Sequence, residues 1–167
     1  QDPFDANHIL AGSSAGGLFG TTDGGLSWSP LTDDFAWMAM GSIAFHPEQE
    51  GTIYLGTGDP QISSHPRIGN GVYRSTDGGN NWVHLGLDSA RIVSQLLILD
   101  DAPEIVMAAT MGNPGVKGPD RGLYRSTNSG ATWDQVLLPS DSAGVNDIAY
   151  DSSTGIMIAS GWNRLRN

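Results

Sequence analysis

His8, His46, His65 and His84 are the residues of this chain best suited to bind a transition metal or to carry a proton near neutral pH. They lie far apart on different predicted strands and loops, and no two stand at a metal-ligand spacing. Two adjacent carboxylate pairs, Asp33-Asp34 and Asp100-Asp101, could offer paired acids, but both fall in predicted turns, where such residues are ordinarily solvated surface. The run Gly12-Ser13-Ser14-Ala15-Gly16-Gly17 would need a following helix to cradle a phosphate. None follows, so the run reads as a turn between strands. The oxygen-rich loops near Asp59 and Asp120 could host calcium, and no other cofactor is implied.

Bulk composition narrows the partners. The chain has 167 residues, 18 Asp and Glu against 8 Lys and Arg, and a net charge of −10. That balance argues against nucleic acid or an anionic membrane, both of which need a basic footprint. With 23 glycines, a turn-rich surface is expected, and without cysteine no redox compartment can be read. No apolar run is long enough for a membrane span. The opening Gln1-Asp2-Pro3, with no Met and no signal-peptide core, reads as a mature or excised segment.

The chemistry is thin because the specific signal lies in a repeat. Gly71-Val72-Tyr73-Arg74-Ser75-Thr76-Asp77-Gly78-Gly79-Asn80-Asn81-Trp82 is echoed by Gly17-Leu18-Phe19-Gly20-Thr21-Thr22-Asp23-Gly24-Gly25-Leu26-Ser27-Trp28 and by Gly122-Leu123-Tyr124-Arg125-Ser126-Thr127-Asn128-Ser129-Gly130-Ala131-Thr132-Trp133. An alternating strand leads into an Asp-Gly-Gly hairpin turn that supplies positive φ, and the Trp begins the return strand. The Asp can accept bonds from backbone N–H groups and the Trp ring can cover the hairpin. Short apolar, β-prone lines recur between the motifs around Ile9, Ile53, Ile105 and Ile156, and a further set precedes them around Ile43, Leu96 and Ile148. Together they predict four strands per unit, A to D, at a period of about 50 residues, that of propeller blades.

The predicted fold class is therefore all-β, a β-propeller of four-stranded antiparallel blades, with this chain being about three and a half blades of a larger ring. Blade 1 is expected at 1–31 without its A strand, blade 2 at 32–87, blade 3 at 88–138 and an incomplete blade 4, with A and B only, at 139–167. Both end blades carry a B strand, so they cannot close a ring by trading strands, and closure needs about four blades at least.

The three boxes resemble the Asp-box, or BNR, repeat, and the whole chain resembles the propellers of sortilin-type receptors and of large secreted bacterial proteins with sialidase-like repeats. The resemblance assigns structural roles to Thr21, Asp23, Gly25 and Trp28, to Ser75, Asp77, Gly79 and Trp82, and to Ser126, Asn128, Gly130 and Trp133. The third box departs, with Asn128 for Asp and Ser129 for Gly, although Asn can make the same turn. Relatives include sialidases, which hold a substrate carboxylate with an arginine cluster. The arginines available are Arg67, Arg74, Arg91, Arg121, Arg125, Arg164 and Arg166, but Arg74 and Arg125 occupy one repeated position before the box and read as structural. Xyloglucan-cleaving propeller hydrolases carry a catalytic Asp in their first blade. By that alignment the Asp position falls on Ser14, which cannot act in a paired-carboxylate mechanism.

Strand parity gives the blades two faces. The boxes sit in C-to-D turns, on the same face as the A-to-B turns. The long segments 59–70 and 111–121 are B-to-C loops on the other face, which the D-to-A connection 32–40 shares. Long loops and aromatics gathered on one rim resemble a binding face. Its candidate residues are Trp37, Asp59, His65, Arg67, Lys117, Asp120 and Arg121, although Phe35, Trp37 and Met38 could equally pack between blades. The function expected is a non-catalytic interaction or scaffold propeller of a secreted or cell-surface protein, binding a polypeptide or glycan beside the remaining blades of its parent. The alternatives are part of a carbohydrate-active, xyloglucanase-like hydrolase with its carboxylates outside this chain, or a purely structural spacer.

Overall fold

The computed structural model describes residues 1–61, 67–163 and 165. Among the described residues, thirteen strands form four antiparallel sheets. The first holds β1 (Ile9–Ser13), β2 (Gly17–Thr21) and β3 (Ser29–Pro30). The second holds β4 (Met40–Phe45), β5 (Ile53–Thr57), β6 (Val72–Ser75) and β7 (Val83–His84). The third holds β8 (Val93–Leu99), β9 (Ala102–Thr110), β10 (Gly122–Ser126) and β11 (Asp134–Leu137), and the last β12 (Ala143–Asp151) with β13 (Ile156–Asn163). Neighbours in each sheet are consecutive in the chain, the up-and-down order of propeller blades. The only helical turn among the described residues is a 3-10 turn, Asp88–Ala90. The chain is thus a partial β-propeller.

Period-2 alternation places the core between sheets rather than within one. Leu10 and Leu18 of the first sheet meet Met40, Ile53 and Leu55 of the second, with Leu31, Phe35 and Trp82 packed around them. Tyr54 and Val72 on the far side of the second sheet meet Leu96, Ile98, Val106 and Ala108 of the third, and Trp133 closes that cluster. Met107, Ala109 and Leu123 then face Val145 and Ile148 of the last sheet, with Met157 and Ala159 packed against them. Each sheet buries both faces only where it has two neighbours. Accordingly Ile156 and Ile158, which alternate with Met157 and Ala159 on β13, are 58% and 68% exposed.

The innermost strands are linked directly. The Leu96 N–H donates to Ser42 Oγ at 2.8 Å, Ser94 Oγ donates to the Val145 carbonyl at 2.8 Å, and the Ile148 N–H donates to Gln95 Oε1. Each of these strands is bulged near its start, between Met40 and Ser42, Val93 and Gln95, and Val145 and Asp147, and β8 shifts register again between Ile98 and Leu99. The outermost strands are short, and Pro30 is tolerated on β3 because that edge donates nothing further. The glycine opening each repeated word has a steric reason. Gly71 has φ 98° and Gly122 φ 112°, and a Cβ on either would lie 2.0 Å from a carbonyl oxygen, that of Gly86 just past β7 or of Leu137 on β11.

Candidate functional site: the long-loop face

The boxes form one hydrogen-bonded device, built three times. In the second, Ser75 Oγ donates to Asp77 Oδ1 at 2.8 Å and accepts the Gly79 N–H at 2.9 Å, while Asp77 accepts the backbone N–H and the side-chain amide of Asn81 at 2.8 and 2.7 Å. The first is equivalent: Thr21 bonds Asp23 and Gly25, and Asp23 accepts from both the N–H and the hydroxyl of Ser27. The Asn81 and Ser75 bonds hold the Asp77 carboxyl down at about 2, and those from Ser27 and Thr21 push Asp23 down as well. In the third box Asn128 Oδ1 takes the acceptor role toward Ser126 and the Thr132 N–H. Its Nδ2 donates to Thr132 Oγ1 at 2.9 Å, so the bond at that position runs in the opposite direction. Ser129 adopts φ 56°, and Gly130 takes φ 88°, a conformation that favours glycine, with Leu85 Cδ1 2.5 Å from where a Cβ would lie.

These turns are fastened to the A-to-B side. The N–H groups of Gly24, Gly78 and Ser129 donate to the carbonyls of Asn7, Gly51 and Glu104 at 3.1, 2.9 and 2.9 Å. His46 serves that side too: its buried Nδ1 accepts the Glu48 and Gln49 N–H groups at 3.1 Å each, and burial lowers its pKa. On the box side, hydrogen-bonding capacity is spent on turns.

The opposite side is assembled differently. Backbone bonds join the B-to-C loops to the D-to-A connections on either side: Gly58 N–H to Ala39 O at 2.8 Å and Met111 N–H to Ile92 O at 2.9 Å reach the preceding connection, and Gly69 N–H to Arg91 O at 2.6 Å reaches the next. Asp59 is buried, accepts the Gln61 N–H at 2.8 Å and fixes the base of the first long loop. Arg121 is 2% exposed, and its guanidinium donates to the carbonyls of Ser142, Asn113 and Val116. Burial lowers its proton affinity, which Asp141 and Asp120 oppose. It is a loop anchor.

Two hollows open on this face. One, of about 340 Å³, lies at the mouth of the central channel and is lined by Gly41, Ser94 and Asn146, with Pro60, Gln61, Asp147 and Trp162. Gly41, Ser94 and Asn146 are the three residues at the strand bulges, so the repeated distortion of the innermost strands shapes one wall. The other hollow, of about 220 Å³, is lined by Ser89, Arg91, Asn113, Val116, Lys117, Gly118, Asp120 and Arg121.

Of the residues expected on the binding face, Lys117, Asp120 and Arg121 meet at the second hollow. Arg67 is exposed at the base of the first long loop, where its carbonyl accepts the Asp59 N–H at 2.8 Å. Trp37 is half-buried and lines neither hollow, whereas Phe35 packs on Tyr73 with ring centroids 4.7 Å apart. His65 lies outside the described residues, as do Arg164 and Arg166. Sequence reasoning missed Trp162, Asp147 and the bulge residues. The available signal was the small or polar residue, Gly41, Ser94 or Asn146, at the same point of each A strand.

Among the described residues no three His, Cys, Asp or Glu side chains gather as a metal site, and Asp59 and Asp120 belong to no such group. Of the expected carboxylate pairs, Asp101 accepts the Tyr150 hydroxyl at 2.9 Å, a bond that raises the tyrosine's pKa. The carboxyl groups whose proton affinity is shifted, Asp2, Asp23, Asp77 and Asp151, are all shifted toward the ionised form. A general acid needs the opposite shift. What the long-loop face offers is a polar cleft with an indole beside it, the makings of a sugar- or peptide-binding surface.

No family model matches the chain. It is 34% identical over 85 residues to a probable oligoxyloglucan-reducing end-specific xyloglucanase of Neosartorya fischeri, a match that covers 48% of this chain and 9% of that protein. It is 28% identical over 171 residues to xyloglucanase Xgh74A of Acetivibrio thermocellus, covering 81% of this chain and 19% of the relative. The chain thus spans a fifth or less of the curated relatives it matches. Its fold is similar to that of an ancestral GH74 enzyme of known crystal structure, with a TM-score of 0.74 at 20% identity, over 93% of this chain and 20% of the other.

Proposed function

We propose that this chain is a segment of a larger carbohydrate-active propeller, in which it presents a glycan-binding wall. The blades are bounded at 31/32, 87/88 and 138/139, the boxes are Asp-boxes serving as folding devices, and the parent protein is secreted or displayed on the cell surface. The observation that carries the reading is the cleft at the channel mouth, where Asp147 and Trp162 stand beside the three bulge residues. An indole offers an apolar plate for the C–H face of a pyranose, and a carboxylate and amides beside it can bond ring hydroxyls. The similarity to xyloglucanases supports a neutral plant polysaccharide as substrate.

The acid and base of hydrolysis lie outside this chain in this reading. Ser14 stands where the resemblance places one carboxylate, and the shifted carboxyls described above favour ionised, structural roles. Those same facts favour a second reading, a propeller that binds its partner on the long-loop face without cleaving it. Reducing-end release from xyloglucan by the full-length protein separates the two. The first reading expects release, slowed tenfold or more by Trp162→Ala and Asp147→Ala. Binding without release would select the second reading, and neither binding nor release would remove both.

A further inference from the structure

The second hollow on the long-loop face is lined by donors, in a chain whose net charge is −10. Arg91 stands at its wall in a backbone conformation that arginine rarely adopts. With φ 60° and ψ −41°, and the Ile92 N–H bonded to the Ala90 carbonyl at 2.6 Å, it is the central residue of a γ-turn of the rare positive-φ kind. Such strain gathers at functional positions because surrounding structure must hold it. Here the Gly69 N–H to Arg91 O bond and the Met111 N–H to Ile92 O bond clamp the turn from two loops. The Arg91 side chain is half-buried, and it makes no hydrogen bond or ion pair to any described residue.

The neighbours define the charge of the ligand. Lys117 Nζ lies 3.7 Å from Asp141, both largely exposed, so the pair is loose and screened. Arg121 is already committed to three carbonyls and contributes field rather than contacts. Asp120, at the rim, is the opposing charge. Three cations, Arg91, Lys117 and Arg121, thus face two carboxylates, Asp120 and Asp141, an excess of one positive charge suited to a monoanion. The Ser89 hydroxyl adds a neutral donor beside Arg91. At about 220 Å³ the hollow is smaller than the roughly 300 Å³ at which ligand pockets ordinarily begin, so it takes one functional group with its immediate carrier.

We propose that this hollow is a carboxylate-binding site in which the Arg91 guanidinium forks onto both oxygens, Ser89 bonds one of them and Lys117 supplies the second charge. The carboxylate is that of a small acid such as a uronic acid residue. The site is independent of the channel-mouth cleft and of any cleavage performed there.

The test titrates the full-length protein at low ionic strength with galacturonate, galactose and acetate, read by ligand-observed NMR and by melting temperature. Galacturonate is expected to bind and galactose not to, with binding weakening as salt rises. Arg91→Gly should weaken galacturonate at least tenfold without lowering Tm, since glycine accepts the positive φ, whereas a merely structural arginine would cost stability when removed. Arg91→Lys should retain part of the affinity, and Arg125→Ala, the same charge change elsewhere on the third sheet, should retain all of it. Acetate binding as tightly as galacturonate would keep the carboxylate and remove the sugar from the ligand. The proposal is overturned if galactose binds equally, if Arg91→Gly binds like the parent, or if Arg125→Ala weakens binding as much. Xyloglucan cleavage, which depends on the other hollow, should be unmoved by Arg91→Gly, so either proposal can fail alone.

Discussion

The indole N–H of Trp133 donates to the backbone carbonyl of Leu85 at 2.9 Å, fastening the box of one sheet to the residue that follows the last strand of the sheet before it. Ser129 adds to the same joint, its carbonyl accepting from Tyr54 Oη at 3.1 Å and Arg74 Nη1 at 3.2 Å. Trp82 occupies the equivalent place one sheet earlier, yet its Nε1 is buried without a partner among the described residues. The repeat copies the ring and its burial but not the bond.

Trp133→Phe should therefore destabilise by about 1 kcal/mol, the net worth of one hydrogen bond, while leaving the Leu85 carbonyl unpaired. Trp82→Phe removes an unsatisfied buried donor and should be neutral or slightly stabilising. Denaturant unfolding of the two variants in the full-length protein checks the difference. Equal losses would mean that the indoles act through packing alone.

The boxes should also differ in their response to acid. Asp77 is ionised in the fold with its pKa lowered from 3.8 to about 2, so its contribution is fully present above about pH 4 and is lost as pH falls toward 2. That contribution should stay below about 1 kcal/mol, because the carboxylate is exposed and screened. Asp77→Asn should flatten the stability profile in that window, whereas Asn128→Asp should add a new acid-sensitive step, with Thr132 Oγ1 turning to donate. Unchanged profiles in both variants would contradict the bonding described.

The flanks of the segment predict a solubility effect. Trp28 at one end is 43% exposed, and Ile156 and Ile158 at the other present a strand face whose counterparts inside the segment are buried by a following sheet. The 167-residue segment expressed alone should self-associate, and Ile156→Lys with Ile158→Lys should relieve this. In the full-length protein the same pair should cost several kcal/mol, as buried apolar sites do. A monodisperse, cooperatively melting segment would count against its being part of a larger ring.

Most of the architecture was legible because period-2 alternation, turn glycines and the box recur together, each constraining the same strands. The opening glycines of the three words and the A strands around Ile43, Leu96 and Ile148 are examples. The site was less legible for a physical reason. Arg121 and Asp59 look from sequence like exposed loop charges, and only tertiary contact buries them as anchors. The γ-turn at Arg91 is held by backbone bonds from two distant loops, which local sequence does not encode, and the bulges left only a faint mark, a small or polar residue at Gly41, Ser94 and Asn146.

The central claim is that function lies on the long-loop face, at the channel mouth. It is tested most directly by the affinity of the full-length protein for a xyloglucan oligosaccharide, compared between Trp162→Ala in the cleft and Glu48→Ala with Asn80→Ala on the box side. The account predicts about a tenfold loss for Trp162→Ala, the worth of one stacked ring at about 1.4 kcal/mol, and unchanged affinity for the box-side pair. Unchanged affinity in Trp162→Ala with a loss in the box-side pair would place the binding surface on the opposite face and contradict it.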